Sequence, residues 1–177
     1  MESKVILGDA TFKHTILDDS VQAIITSPPY FNLRKYSEDK GHEAVEIGRG
    51  ETVDEYVSHL VKAFHNFKDC LKDDGLLWLN LGDTFINKEM QGVPWRTALA
   101  LANDGWILRT DVICHKPNAM PSFVTSRPTI DQEYVFMFSK NKDYYYDADA
   151  IREPHVTFSE NSKMRGEEAL RTTGSNP

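Results

Sequence analysis

The residue types most able to do chemistry together are Ser27-Pro28-Pro29-Tyr30. Each proline fixes its own φ near about −65° and removes a backbone donor, so the carbonyls of this stretch point in set directions. A hydroxyl comes just before them and a flat phenol ring just after. Hydrogen-bond acceptors beside a stacking plate suit a planar group that carries an NH2. The plainer alternative is a turn in which Tyr30 merely packs. Metal chemistry is not indicated, because the six histidines show neither HxxxH nor HExxH spacing. Cys70 and Cys114 stand far apart with no CxxC pair, which rules out a zinc ribbon and fits a reduced compartment.

Several elements must position that stretch. Gln22-Ala-Ile-Ile-Thr26 reads as a strand that the prolines terminate, and Lys4-Val-Ile-Leu-Gly-Asp9 reads as a buried strand closed by a turn. Thr52-Val-Asp-Glu55 is a capping box. Behind it, Val53, Tyr56, Val57, Leu60, Val61, Phe64, Phe67 and Leu71 recur at three- and four-residue spacing, which predicts an amphipathic helix. Gly75 is expected as the left-handed residue past its end. Leu76-Leu-Trp-Leu-Asn-Leu-Gly-Asp83 then reads as a buried strand. A second helix is expected from Val93-Pro94 to an Asn103-Asp104-Gly105 stop. Two more strand-like runs, Trp106–Cys114 and Glu133–Ser139, flank a proline-rich loop over 115–128.

Strands alternating with helices predict an α/β domain with a mostly parallel sheet, whose ligands sit at the carboxyl ends of the strands. Ser27–Tyr30 and Leu81–Thr84 both fall at such ends. Composition agrees with a globular domain: 177 residues, 40% hydrophobic and 27% charged. The net charge of −7 argues against a simple basic coat for nucleic acid but leaves room for an enzyme that touches DNA locally. The longest apolar run is too short to cross a bilayer. Met1-Glu2-Ser3-Lys4 begins no charged-then-apolar leader, so the expected location is cytoplasmic. The acidic stretch 37–55 reads as a solvated loop.

Residues 18–34, Asp-Asp-Ser-Val-Gln-Ala-Ile-Ile-Thr-Ser-Pro-Pro-Tyr-Phe-Asn-Leu-Arg, resemble the catalytic motif of the amino-group DNA methyltransferases. So do Leu7-Gly8-Asp9, Lys72–Asp83, Val93-Pro-Trp-Arg96 with Asp104-Gly-Trp106, and His115-Lys-Pro-Asn118. Their order is that of the permuted subgroup, and the likeness spans about residues 4–153. The resemblance implies a Rossmann-like class I methyltransferase fold. It also implies methyl transfer from S-adenosylmethionine to the exocyclic nitrogen of a base flipped out of double-stranded DNA. Serine in the first motif position favours cytosine N4 over adenine N6. Ser27 Oγ and the Pro28 carbonyl would accept hydrogens from the amine, Pro29 would stiffen the loop and Tyr30 would stack on the base. Asp83, Lys116, Pro117 and Asn118 would wall the base pocket, Arg127 would meet phosphate, and Asp9 would approach the cofactor; for each, a turn, cap or solvated side chain is the competing reading. No enzyme-bound intermediate is implied, so neither cysteine needs a nucleophilic role. Tyr144–Tyr146 is read as packing at a strand end.

Two departures from the family pattern stand out. Cys114 lies where relatives often carry tryptophan. The aromatic-x-Gly-x-Gly cofactor motif is absent, and Gly48-Arg-Gly50 lies in the wrong loop to replace it. The expectation is therefore a partial catalytic core over 1–151 and a polar tail over 152–177 that starts a target-recognition region. Sheet edges would be left unpaired where the cofactor strands belong. A C-terminal half or a partner subunit would complete cofactor binding, and a non-catalytic subunit is the rival from another class. The resemblance implies neither membrane nor metal.

Overall fold

The computed structural model describes residues 3–33 and 47–153. Arg34, the acidic stretch up to Glu46 and the tail from Pro154 lie outside those residues. Residues 1–145 make one compact unit; of a second, 146–177, the described part is a 3-10 turn at Asp149–Ile151, capped by the Asp147 carboxylate.

The first unit is built on a four-stranded sheet in the order β1-β2-β6-β5. Strand β1 is Val21–Thr26, β2 is Leu71–Leu81, β5 is Ile107–His115 and β6 is Gln132–Ser139. The expected parallel arrangement is realised by β1, β2 and β5, which run in one direction. Strand β6 is inserted antiparallel between β2 and β5. Helices α1 (Val53–Lys68) and α2 (Val93–Asn103) follow β1 and β2 in the chain. A two-stranded ribbon, β3 (Phe85–Ile86) with β4 (Glu89–Met90), turns through Asn87 and Lys88. Both turn residues have positive φ, as a two-residue hairpin requires.

Alternation along β2 and β6 decides where the core sits. Leu77, Leu79 and Leu81 lie opposite Phe138, Phe136 and Tyr134, so these six share one face of the sheet. Both helices bring their apolar stripes to that core: Val53, Tyr56, Val57, Leu60 and Phe64 from α1, Val93, Ala98 and Leu101 from α2. The capping box forms as expected, with Thr52 Oγ1 accepting from Glu55 N at 3.2 Å and Glu55 Oε2 accepting from Thr52 N at 2.7 Å. Helix α2 starts with Pro94 in its first turn and is followed by Gly105 at φ 90°, again as the sequence predicts.

Three expectations are corrected. The segment 4–9 is not a strand: Val5 and Leu7 are 97% and 100% exposed, and no described strand pairs with them. An apolar run becomes a strand only when a neighbour takes up its backbone groups. Leu71 does not extend α1, which stops at Lys68; it opens β2, fully buried and paired with Val21. Gly75 is therefore not a left-handed helix end. It lies inside β2 after an irregular, exposed Lys72-Asp73-Asp74, where a Cβ would come within 2.8 Å of the Leu71 side chain and 3.0 Å of the Gln22 carbonyl. Lys140 holds this irregularity by donating to the Leu71 carbonyl at 2.6 Å and to Asp19 at 2.9 Å. Strand β1 forms an edge of the described sheet, with Ile25 80% exposed. No described helix is long and apolar enough to cross a membrane.

Candidate active site

Strand directions bring four chain segments to one rim. Ser27 follows the end of β1, Asn80 stands near the end of β2, Lys116 follows the end of β5, and Glu133 lies at the start of the antiparallel β6. Together with Pro28, Tyr30 and Leu33 they line a cavity of about 320 Å³. That size is at the small end of ligand pockets, which run from about 300 to 1,000 Å³.

The polar groups in this cavity are joined in a directed network. Ser27 Oγ donates to Tyr30 Oη at 3.1 Å, and Tyr30 Oη donates to Glu133 Oε2 at 3.0 Å. Asn80 Nδ2 donates to the same Oε2 at 3.1 Å, and Lys116 Nζ pairs with Oε1. Burial acts to raise the Glu133 carboxyl, but the bonds from Lys116, Asn80 and Tyr30 outweigh it and hold it below the ordinary glutamate range. Burial first, and then the nearby Glu133 charge, push the Tyr30 phenol up to about 12. The pair therefore stands as neutral tyrosine and ionised glutamate. Because an ionised carboxylate only accepts, Asn80 must turn its amide nitrogen toward it, and Asn80 Oδ1 is buried with no partner among the described residues.

The loop that carries Tyr30 is held from four sides. Tyr56 of α1 donates its hydroxyl to the Pro29 carbonyl at 2.8 Å. Gly48, at φ 93°, lies so close that a Cβ there would meet the Tyr30 carbonyl at 3.3 Å. Gly82, just after β2, accepts the Tyr30 ring: a Cβ at this position would stand 2.9 Å from Tyr30 Cε2. Phe31 anchors the far side in the core, 55° from the plane of the Tyr56 ring.

The structure thus gathers Ser27, Pro28, Tyr30 and Lys116 at one cavity, and Pro29 in the same loop. It does not bring the other residues nominated by the sequence to that cavity. Asp83 accepts from Val93 N at 3.0 Å and Thr84 N at 2.8 Å, so it caps the entry to α2. It also lines a separate cavity of about 420 Å³ with Phe85, Met90, Arg127 and Tyr134. The Arg127 guanidinium lies 3.8 Å from the centre of the Phe85 ring, a cation–π contact. Pro117 and Asn118 are exposed in the loop after β5 and do not line the Ser27 cavity. Asp9 accepts from Thr11 N and Oγ1, both at 2.8 Å. Its loop lies against the last turns of α1, where Asn66 donates to the Ala10 carbonyl. Tyr56 marks the Ser27 rim on the same helix. The 1.5 Å rise per residue puts Asn66 about 15 Å further along.

Sequence reasoning missed Glu133, Asn80 and Tyr56 as parts of this site. Asn80 carried a signal, being the polar residue inside the apolar run Leu76–Leu81. Glu133 carried a weaker one, a carboxylate opening an otherwise apolar strand. Tyr56 reads as core from its helical spacing, and only its hydroxyl tip reaches the site.

Residues 21–176 match the family model described as DNA methylase. The chain is 39% identical over 181 residues to the Type II methyltransferase M.SmaI of Serratia marcescens, covering 85% of this chain and 60% of that protein. It is 37% identical over 182 residues to the Type II methyltransferase M.XycI of Xanthomonas campestris pv. cyanopsidis, covering 86% and 59% respectively. The chain thus spans about three fifths of the length of these curated relatives. Among solved structures it resembles the PvuII DNA methyltransferase (cytosine-N4-specific), with a TM-score of 0.64 at 19% identity, over 80% of this chain and 50% of that one.

Proposed function

Because the chain belongs to the DNA methylase family, we propose that its Ser27–Tyr30 rim holds the exocyclic amino group of a flipped DNA base for methylation, with cytosine N4 as the acceptor atom. The observation that carries this reading is the convergence of Ser27, Pro28, Tyr30, Asn80, Lys116 and Glu133 on one small cavity. The lone pair of an aromatic amine is delocalised into its ring, so the nitrogen attacks poorly. Acceptors fixed in advance at Ser27 Oγ and the Pro28 carbonyl favour the pyramidal nitrogen of the transition state. Ser27 is free to accept because its own hydrogen is directed to Tyr30. Tyr30, wedged on Gly82 and tied to Glu133, offers a ring whose plane is set before the base arrives. The name of the PvuII neighbour, cytosine-N4-specific, agrees with the serine in first place.

S-adenosylmethionine is the donor that such a transfer calls for, and it supplies an electrophilic methyl group. The described residues build no cradle for it beside Ser27. The loop of Asp9, expected to approach it, lies against Asn66 of α1 rather than beside Tyr56 at the Ser27 rim, and Gly8 has no described atom within 4 Å of where a Cβ would stand. The roles of Ser27, Pro28 and Tyr30 accordingly concern the base alone.

The test is methyl transfer by the full-length protein that carries this sequence, using S-adenosylmethionine and duplex DNA. The DNA is then hydrolysed and its nucleosides are weighed by mass spectrometry. N4-methylcytosine is expected, with Ser27→Ala slowing transfer by about 10²-fold while the fold is retained. Methylated adenine would move the acceptor to N6. DNA left unmethylated, or transfer unchanged in the Ser27 variant, would defeat the assignment.

A further inference from the structure

We propose that Ser27, Tyr30 and Glu133 form a proton relay that removes the surplus proton from the amino nitrogen as it is methylated, with Glu133 as the terminal acceptor. The relay rests on the amino-methylation reading above and adds the fate of the proton.

An exocyclic amine that gains a methyl group becomes an ammonium and must lose one N–H proton to leave a neutral base. Ser27 alone is too weak a base to keep that proton. Its hydroxyl, however, donates to Tyr30 Oη at 3.1 Å, and Tyr30 donates to Glu133 Oε2 at 3.0 Å. Both hydrogens are directed along the chain of groups lining the cavity toward the carboxylate. When the ammonium donates to a lone pair of Ser27 Oγ, three short shifts complete the transfer. The N–H bond breaks, its electron pair returns to nitrogen, and the proton binds Ser27 Oγ. The original Ser27 proton passes to Tyr30 Oη, and the original Tyr30 proton passes to Glu133 Oε2. Ser27 and Tyr30 end neutral, Glu133 ends protonated, and it then releases the proton to water.

The surroundings of Glu133 are those of an acceptor kept ready. Lys116, Asn80 and Tyr30 all donate to it. The titratable groups facing it among the described residues are Lys116 after β5, Tyr30 after β1, and Cys114, its register partner on β5. Those donors keep the carboxylate ionised, yet any carboxylate remains a far stronger base than the ring amine that the ammonium leaves behind when it gives up its proton. The raised phenol keeps on Tyr30 the hydrogen it must hand on. Glu133 touches the reacting nitrogen only through two hydroxyls, so it acts as a positioning and accepting residue.

The experiment is single-turnover methyl transfer by the full-length protein, with S-adenosylmethionine and duplex DNA, between about pH 6 and about pH 9. Wild type, Glu133→Gln and Tyr30→Phe are compared. The wild-type rate should be flat with pH. Both variants should be slower by about tenfold or more and should rise with pH, because solvent base must now take the proton; affinities for DNA should stay within about threefold. Tyr30→Phe keeps the ring and decides the kinetics should Glu133→Gln fail to fold. Variants as fast as wild type, or slow with a flat profile, overturn the relay. An unaltered protein that transfers no methyl group overturns the methylation reading and the relay with it. A second measurement needs no turnover. In an ultraviolet titration with Tyr30→Phe as the subtraction, Tyr30 should ionise at lower pH in Glu133→Gln than in wild type. An unchanged midpoint would refute the relay even where methylation stands.

Discussion

Gly82→Ala tests the geometry of the site with a single methyl group. Gly82 is not in the left-handed region, so alanine meets no backbone penalty and the perturbation is steric. The new Cβ would stand 2.9 Å from Tyr30 Cε2 and 3.1 Å from Cδ2, against an ordinary carbon–carbon contact of about 3.6 Å. The ring must retreat by about 0.7 Å. Such a shift disturbs the 3.0 Å bond from Tyr30 to Glu133, which lies beside the same point. Overpacking of this kind costs about 1–3 kcal/mol. Urea denaturation followed by tryptophan fluorescence should therefore show a lower midpoint at unchanged slope. Because the hold of Glu133 on the phenol is weakened, Tyr30 should also ionise at lower pH than in the wild type, where burial and Glu133 push it up to about 12. A variant with the wild-type midpoint and the wild-type tyrosine titration would mean that the ring does not rest on Gly82, and the proposed setting of its plane would fall.

Two further outcomes follow from the same contacts. Thr52→Ala removes the hydroxyl that accepts from Glu55 N and should cost about 1 kcal/mol of stability by urea denaturation, without altering the ionisation of Tyr30. The Glu133 carboxyl is depressed in the folded chain, so it contributes stability above its unfolded value and loses that contribution as pH falls through the folded one. The stability gap between wild type and Glu133→Gln should accordingly be open at neutral pH and close in acid below the ordinary glutamate range. A gap that widens toward acid would show that Glu133 is not held ionised.

The legibility of this protein in its sequence divides along the range of the forces involved. Local signals were enough for the starts of α1 and α2 and for the end of β1. A capping box, a 3.6-residue apolar period and prolines act within a few residues, so Thr52–Glu55 and Val93-Pro94 mark the helix starts and Ser27–Tyr30 marks the end of β1. The Ser-Pro-Pro-Tyr stretch was legible for the same reason, since two prolines constrain the backbone wherever they occur. Pairing decided the rest. Lys4–Asp9 has the composition of a strand but no described partner, and Leu71 fits the helical period yet lies opposite Val21 in the sheet. The hub of the site was the least visible part. Glu133 stands 106 positions beyond Ser27 and reaches Tyr30 only because β6 enters antiparallel between β2 and β5. Composition and spacing can nominate a hydroxyl, a ring or a carboxylate. Which carboxylate receives the hydroxyl's hydrogen depends on sheet order and register, and those are set by the burial of Leu77, Leu79 and Leu81 against Phe138, Phe136 and Tyr134.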